Sequence, residues 1–282
     1  MSLSLLTLLL LTGLGAGAFG ALLGLGGGII IVPVLVLAAG VPMHTAVATS
    51  LLCVIATSSG AAWKNVAKGV ANVRLGLVLE FWTVVGAIAG GMIAGTLSGS
   101  TLTTIFAIVL LVISTLMVRG RVEPELAQPE PDGEEESRAA LEGAYFDLQA
   151  GREVHYRPHR VPVAMGISSA AGVLSGLLGL GGGIIQVPSL VKLCRVPMKA
   201  AAATSNFMMG VTGAASALLY YARGDVEPGV AAATVLGILG GSRAGTWIAG
   251  RLEPKLLRRI FAVVMILVAI QMLLKAKGWW PA

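Results

Sequence analysis

The stretch Gly24-Leu-Gly-Gly-Gly-Ile-Ile-Ile-Val-Pro33 decides how this chain is read, because it returns as Gly179-Leu-Gly-Gly-Gly-Ile-Ile-Gln-Val-Pro188. In each copy glycines interrupt an apolar run, and a short apolar piece resumes after them. The likeness continues downstream. Val41-Pro-Met-His-Thr-Ala-Val-Ala-Thr-Ser50 returns as Val196-Pro-Met-Lys-Ala-Ala-Ala-Ala-Thr-Ser205. The offset is 155 without a gap, and 18 of the 27 positions from 24 to 50 match their mates. The same offset carries Gly69 onto Gly224, Gly86 onto Gly241, Gly90 onto Gly245, Gly95 onto Gly250 and Phe106 onto Phe261. A gapless repeat of this extent marks a duplication.

The solvent of the repeat follows from composition. Of 282 residues, 56% are hydrophobic and 12% charged, with a mean hydropathy of +0.85. A soluble domain has about 25% charged residues. One soluble domain of this length could not hide so much apolar surface. An ordinary soluble enzyme, a disordered chain and a nucleic-acid module are excluded, which leaves a polytopic membrane protein. A helix crosses the hydrocarbon core with about 20 apolar residues. Such spans are expected at 3–23, 45–62, 75–97 and 102–118, then from 161 to the break at 179–183, and at 200–221, 229–250 and 256–274. The pieces 29–39 and 184–193 are too short to span alone. The first run lacks the basic start of a signal peptide and is taken as mature structure.

Charge is distributed by topology. The segment 119–160 holds ten of the 14 acidic residues and six basic ones. The rest carries 14 basic and four acidic residues, mainly at the ends of apolar runs. In the first half the 63–74 loop is basic (Lys64, Lys68, Arg74), while 40–44 and 98–101 carry no formal charge. In the second half the pattern reverses. Lys192, Arg195 and Lys199 make one loop basic, and Arg251, Lys255, Arg258 and Arg259 another, with Arg223, Asp225 and Glu227 between them. Equivalent loops prefer opposite sides, as inverted repeats require. The expected fold is therefore an all-α polytopic membrane protein of two inverted-topology repeats. Each repeat has a Gly-broken helix pair followed by three transmembrane helices. The units are a first repeat (1–118), a cytoplasmic acidic linker (119–160) and a second repeat (161–282). Both termini fall outside, a placement that Lys275 and Lys277 fit poorly. A short helix is expected at 139–151.

A backbone break inside a bilayer leaves polar groups that must be satisfied. The N–H groups at the start of a half-helix form an anion site. Paired breaks in two halves point to a transporter's substrate site. The expected binding residues are Gly26, Gly27, Gly28 and Pro33 with Gly181, Gly182, Gly183 and Pro188. Thr49, Ser50, Thr204, Ser205 and Asn206 begin full spans and can donate to an anion. The alternative is that such hydroxyls bond their own helix carbonyls. Gln186 replaces Ile31 in an otherwise copied motif and suggests a one-sided contact. Arg243, where the first repeat has Ile88, lies inside a span and should face a cavity or a partner. Glu80 can snorkel, pair with Arg243 or carry a coupling proton. His44 is a second, weaker proton candidate. Gly86 and Gly90 are expected to serve packing. Cys53 and Cys194 read as small buried hydrophobes. Gly15-Ala-Gly17-Ala-Phe-Gly20 lies within an apolar run, with no acidic residue before Glu80, and is not taken as a nucleotide site. His155 and His159 lack ligand spacing, so neither a metal nor a cofactor is assigned.

The duplicated Gly-Leu-Gly-Gly-Gly-Ile-Ile-x-Val-Pro motifs, with Ala48-Thr-Ser50, Ala203-Thr-Ser205 and the Gly-rich helix 241–250, resemble the sulfite exporter TauE/SafE family of bacterial permeases. The resemblance implies transport of sulfite, sulfonates such as sulfoacetate, or carboxylates across the bacterial inner membrane. The reading is a secondary transporter, not an enzyme, that exports or exchanges a small anion by alternating access. Rocking of one repeat against the other would change the exposure of the site. Its partners would be the anion, the lipid bilayer and protons as coupling ion, with no nucleic acid. A carboxylate permease of the same fold and a passive anion channel are the alternatives. An intramembrane enzyme would need more than Glu80 within the spans.

Overall fold

The computed structural model describes residues 3–23, 27–118, 141–147, 151–248 and 254–277. The first half holds α1 (Leu3–Leu23), α2 (Gly28–Leu37), α3 (Met43–Ala67), α4 (Val73–Thr96) and α5 (Gly99–Val118). Strands β1 (Gly143–Asp147) and β2 (Arg152–Tyr156) follow. The second half holds α6 (Val161–Leu178), α7 (Gly183–Lys192), α8 (Met198–Ala222), α9 (Pro228–Ile248) and α10 (Pro254–Ala276). Helices α7, α8, α9 and α10 each start 155 residues after α2, α3, α4 and α5. Among the described residues, α1, α3, α4, α5 and α6 are long and apolar enough to cross a membrane. Their outer faces carry exposed Leu77, Phe81, Val112 and others, a surface suited to hydrocarbon rather than water.

Glycine sets the breaks. Gly27 (φ 76°) and Gly182 (φ 73°) precede α2 and α7, and Gly179 (φ 72°) ends α6. All three occupy the left-handed region that glycine enters without strain. Each half-helix is 10 residues long and contains a proline, Pro33 or Pro188. Elsewhere glycine sets contact distance. Helix α4 runs parallel to α6. Gly86 and Gly90 lie against the Ser169 and Val173 carbonyls, and Gly172 and Gly176 against those of Thr83 and Ala87. The α1–α9 seam repeats this arrangement, with Gly13 and Gly17 against Thr234 and Ile238, and Gly241 against Leu14. No side chain fits between such backbones. The packing role expected of Gly86 and Gly90 is therefore met. Both seams join a helix of one half to a helix of the other, as do the α3–α8 and α5–α10 contacts. The halves are interleaved.

The loops gather at two ends. At one, Tyr145 and Tyr156 of the hairpin are buried with Leu75, Leu190, Cys194 and Val196. Asn72 caps α4 by accepting from Leu75 N (3.0 Å), and its Nδ2 donates to Leu141 O (2.9 Å). At the other end His44 Nε2 donates to Ala94 O (3.0 Å), and Ser100 Oγ to Ala276 O (2.9 Å). There Lys275 Nζ donates to Val36 O (2.6 Å), so the lysine that fitted its side poorly caps the last turn of α2.

The helix expected at 139–151 is a correction. Residues 143–147 form β1, paired antiparallel with β2 in the register Gly143↔Tyr156 and Tyr145↔Val154. Gly143 explains the outcome, because a Cβ there would fall on the Tyr156 ring. The aromatic pair Tyr145 and Tyr156, with centroids 6.5 Å apart, also suits a pleated surface more than a helix.

Candidate functional site

A cavity of about 450 Å³ lies among α1, α3, α8 and α9, against the first glycine break. Gly27 forms its inner wall and Lys64, Asn65 and Arg243 line it, with Asn206 and Met209 contributed by α8. The first N–H groups of α2 begin beside Gly27, where a helix has unpaired donors and partial positive charge. Among the described lining residues the charged groups are both cations. Helical phase explains the set. Thr57, Ala61, Lys64 and Asn65 fall on one face of α3 at spacings of four, three and one. On α9, Leu239, Ser242 and Arg243 do the same. The hydroxyls of Thr57 and Ser58 are turned to their own helix, donating to Cys53 O (3.0 Å) and Ile55 O (3.2 Å). The bland reading of Ser and Thr holds for these two.

Three expected residues thus converge here: Gly27, Asn206 and Arg243. Lys64, Asn65 and Met209 also line it and are not among the residues the sequence singles out. The sequence puts Lys64 in the 63–74 loop. Helix α3 extends to Ala67, which brings Lys64 onto the cavity wall. Gly26 lies outside the described residues.

The remaining expected residues knit the two breaks together. Ser50 Oγ donates to Gly179 O (2.8 Å) and lies 3.3 Å from Gly28 O, so one hydroxyl links both copies. Thr204 Oγ1 accepts from Asn72 N (3.0 Å). Thr49 Oγ1 is buried without a hydrogen-bond partner. Gly181 and Gly183 pack on Val54 and Met209. Pro33 and Pro188 sit inside α2 and α7. Gln186 is engaged within the protein. Its Nε2 donates to Thr83 Oγ1 (3.2 Å), and its Oε1 accepts from Ser205 Oγ (3.3 Å). Glu80 is buried and accepts from Thr212 Oγ1 (2.7 Å) through Oε1. His44 is tied to the Ala94 carbonyl at the opposite end from the hairpin.

The family model described as sulfite exporter TauE/SafE matches residues 9–272. The chain belongs to the sulfite exporter TauE/SafE family. It is a multi-pass membrane transporter and not an enzyme. Among its relatives is a "Probable membrane transporter protein YunE" of Bacillus subtilis, 28% identical over 94% of this chain and 96% of its own length. A "Probable membrane transporter protein" of Xylella fastidiosa is 27% identical over 88% and 87%. The "Probable membrane transporter protein MJ0441" of Methanocaldococcus jannaschii is 25% identical over 96% of both chains. No solved structure matches this TauE/SafE chain.

Proposed function

We propose that this TauE/SafE member exports or exchanges a small sulfur oxyanion, sulfite or a sulfonate such as sulfoacetate, by alternating access across the bacterial inner membrane. The observation that carries the reading is the cavity where the α2 N-terminus meets Lys64, Arg243 and Asn206. Backbone donors and two cations attract an anion, and Asn206 can donate a directed hydrogen bond. The volume leaves room for an oxyanion with part of its hydration.

Orientation supports export. The ends of α2 and α7 fall at opposite ends of the molecule, which favours inverted repeats at 1–118 and 161–282. The hairpin end collects the basic 63–74 and 192–199 loops, so the positive-inside rule makes it cytoplasmic together with the linker 119–160. Lys64 and Arg243 stand toward that end, and the anion would load from the cytoplasm. The coupling ion is taken to be the proton. The moving boundary is not placed between the two repeats, because the glycine seams bind each to the other.

The test is uptake and counterflow of sulfite and sulfoacetate in proteoliposomes. Losing a charge-assisted contact costs about 1.5–3 kcal/mol. Arg243→Ala should therefore weaken apparent affinity by about 10- to 150-fold, while the protein elutes as wild type on size exclusion. Unchanged affinity removes Arg243 from the site. Flux only down a gradient under every driving ion would favour a channel. A reporter fused at Glu135 should read cytoplasmic, and a periplasmic signal would overturn the orientation.

A further inference from the structure

The cavity has a mate under the 155-residue offset, and the mate carries the opposite chemistry. Around the anion cavity stand Gly20, Ala61, Asn65 and Arg243. Their counterparts in the α4–α6–α8 seam are Ser175, Ser216, Tyr220 and Ile88. The cation becomes an aliphatic side chain, and the space is taken by hydroxyls. An acid is added as well: Glu80 stands where the cavity side has Val235, and Thr83 where it has Ile238. Glu80 is 3% exposed, its Oε1 accepts from Thr212, and its Oε2 is buried with no hydrogen-bond partner. The Ser216 and Ser175 hydroxyls are buried and also lack partners. Ser216 lies one turn beyond Thr212 on α8. The seam thus holds a carboxyl oxygen and two hydroxyls without hydrogen-bond partners, inside a membrane segment where a fixed charge is costly.

We infer that this mate of the anion cavity is a proton site, in which the Glu80 carboxyl takes up and releases the coupling proton through Oε2. The assignment rests on the transport reading above only for the word coupling. The groups that could compete for the proton stand away from Oε2. Arg74 precedes Glu80 by six residues on α4, about 9 Å along the axis. Helix α6 carries no ionisable residue. On α8, Lys199 is in the first turn, and the Tyr220 hydroxyl is spent on Gly176 O (3.0 Å). Arg223 at the far end donates to Gly91 O (2.6 Å) and pairs with Asp225 (2.9 Å). On α7, Lys192 is the last residue. Among the described residues no salt bridge reaches the buried pair Glu80–Thr212. His44 is at the wrong end and already donates to Ala94 O.

Two measurements on the purified full chain test this. The first needs no substrate. Infrared difference spectra are taken on stepping pH between about 3 and 9, a range that spans the titration of protein carboxyl groups. They should show one buried carboxyl band in wild type that is missing in Glu80→Gln and shifted in Glu80→Asp. An identical spectrum in Glu80→Gln overturns the proposal. The second uses proteoliposomes loaded with sulfoacetate, whose charge is constant near neutral pH. Glu80→Gln should keep exchange at equal pH within about twofold. It should lose at least about tenfold of the accumulation driven by a pH gradient. Accumulation equal to wild type, or accumulation driven by sodium in place of protons, also overturns it. If wild type carries no tested oxyanion, the proposed function fails while the infrared result still judges the proton site.

Discussion

Gly27 and Gly182 hold the same place in the two copies, yet a methyl group would meet different surroundings at each. Both have left-handed backbones, φ 76° and 73°, so alanine at either costs about 1–2 kcal/mol in backbone strain. At Gly182 the atoms nearest the new Cβ lie at 3.6 Å or beyond, which is ordinary contact. At Gly27 it would come within 2.8 Å of Ile238 Cδ1 and 3.2 Å of the Ala16 carbonyl oxygen. The isoleucine tip can turn away, but the carbonyl belongs to the α1 backbone. Overpacking of this kind adds about 1–2 kcal/mol. Gly182→Ala should therefore destabilise by about 1–2 kcal/mol and Gly27→Ala by about 2–4 kcal/mol, read as the order of melting midpoints in detergent. Function should separate them further. Only Gly27 lines the cavity, where a displaced Ile238 and a shifted α2 start cost roughly one hydrogen bond, or about tenfold in anion affinity. Sulfoacetate-dependent shifts of the midpoint measure this, because a ligand bound to the native state stabilises it by mass action. The reasoning is refuted if Gly182→Ala weakens sulfoacetate as much as Gly27→Ala does.

Two glycines on α6 give an internal contrast. A methyl at Gly172 would fall on the Thr83 carbonyl, so Gly172→Ala should cost about 1–3 kcal/mol, whereas Gly166 has nothing within 4 Å and Gly166→Ala should gain up to about 1 kcal/mol in helix propensity. Thermal midpoints falling in the reverse order would sink the close-seam argument. Lys275→Met should lower stability by about 0.5–1 kcal/mol through loss of the Val36 cap and leave sulfoacetate affinity unchanged. Burial pushes the Tyr156 phenol above its ordinary value of 10.0. Its folded form stays neutral when the unfolded one ionises, so stability is intact below about pH 10 and falls as pH rises beyond it. Tyr156→Phe should flatten that alkaline decline in a melting series, and an unchanged slope would remove Tyr156 as its source.

The sequence was most readable where glycine or repetition leaves no choice. The offset of 155 placed the starts of α7 to α10, and the Gly-Gly-Gly runs placed both breaks, because a chain turning inside a bilayer needs residues without side chains. Gly86 and Gly90 could be assigned to packing from spacing alone. The hairpin was hidden because Ala, Leu and Glu around 139–142 favour helix, while the residue that decides the matter, Gly143 under the Tyr156 ring, does so through a partner strand. Lys64 was misplaced for a local reason. The apolar run ends near Ala62, but the helix continues one more turn and carries the lysine onto the cavity wall. The α3 phase of Thr57, Ala61, Lys64 and Asn65 was the signal that could have found it. The partner of Glu80 was beyond reach, since Thr212 is 132 residues away on a helix of the other half.

Interleaving also constrains how such a molecule can move. The two glycine seams hold α1 to α9 and α4 to α6 at backbone contact, and each seam crosses from one half of the sequence to the other. Parting either seam would expose rows of tightly packed backbone, so rocking the halves apart as separate bodies would be costly. The α3–α8 contact is built differently. It runs mainly through side chains, Ile55 and Val54 on Gly213, with Ser58 over Gly210, and such contacts can slide. Under the proposed alternating access, the bodies that would move are then the α1–α9 pair with α3 and the α4–α6 pair with α8. The first carries Lys64 and Arg243 of the cavity, and the second carries Glu80 together with the cavity's Asn206 and Met209. Motion at α3–α8 would change the exposure of both at once, which is what coupling an anion to a proton requires. A cross-link between Ile55→Cys and Gly213→Cys, with Cys53 and Cys194 replaced by alanine, should stop sulfoacetate transport and leave binding at the open side within about twofold. Transport at the uncross-linked rate would place the moving boundary elsewhere.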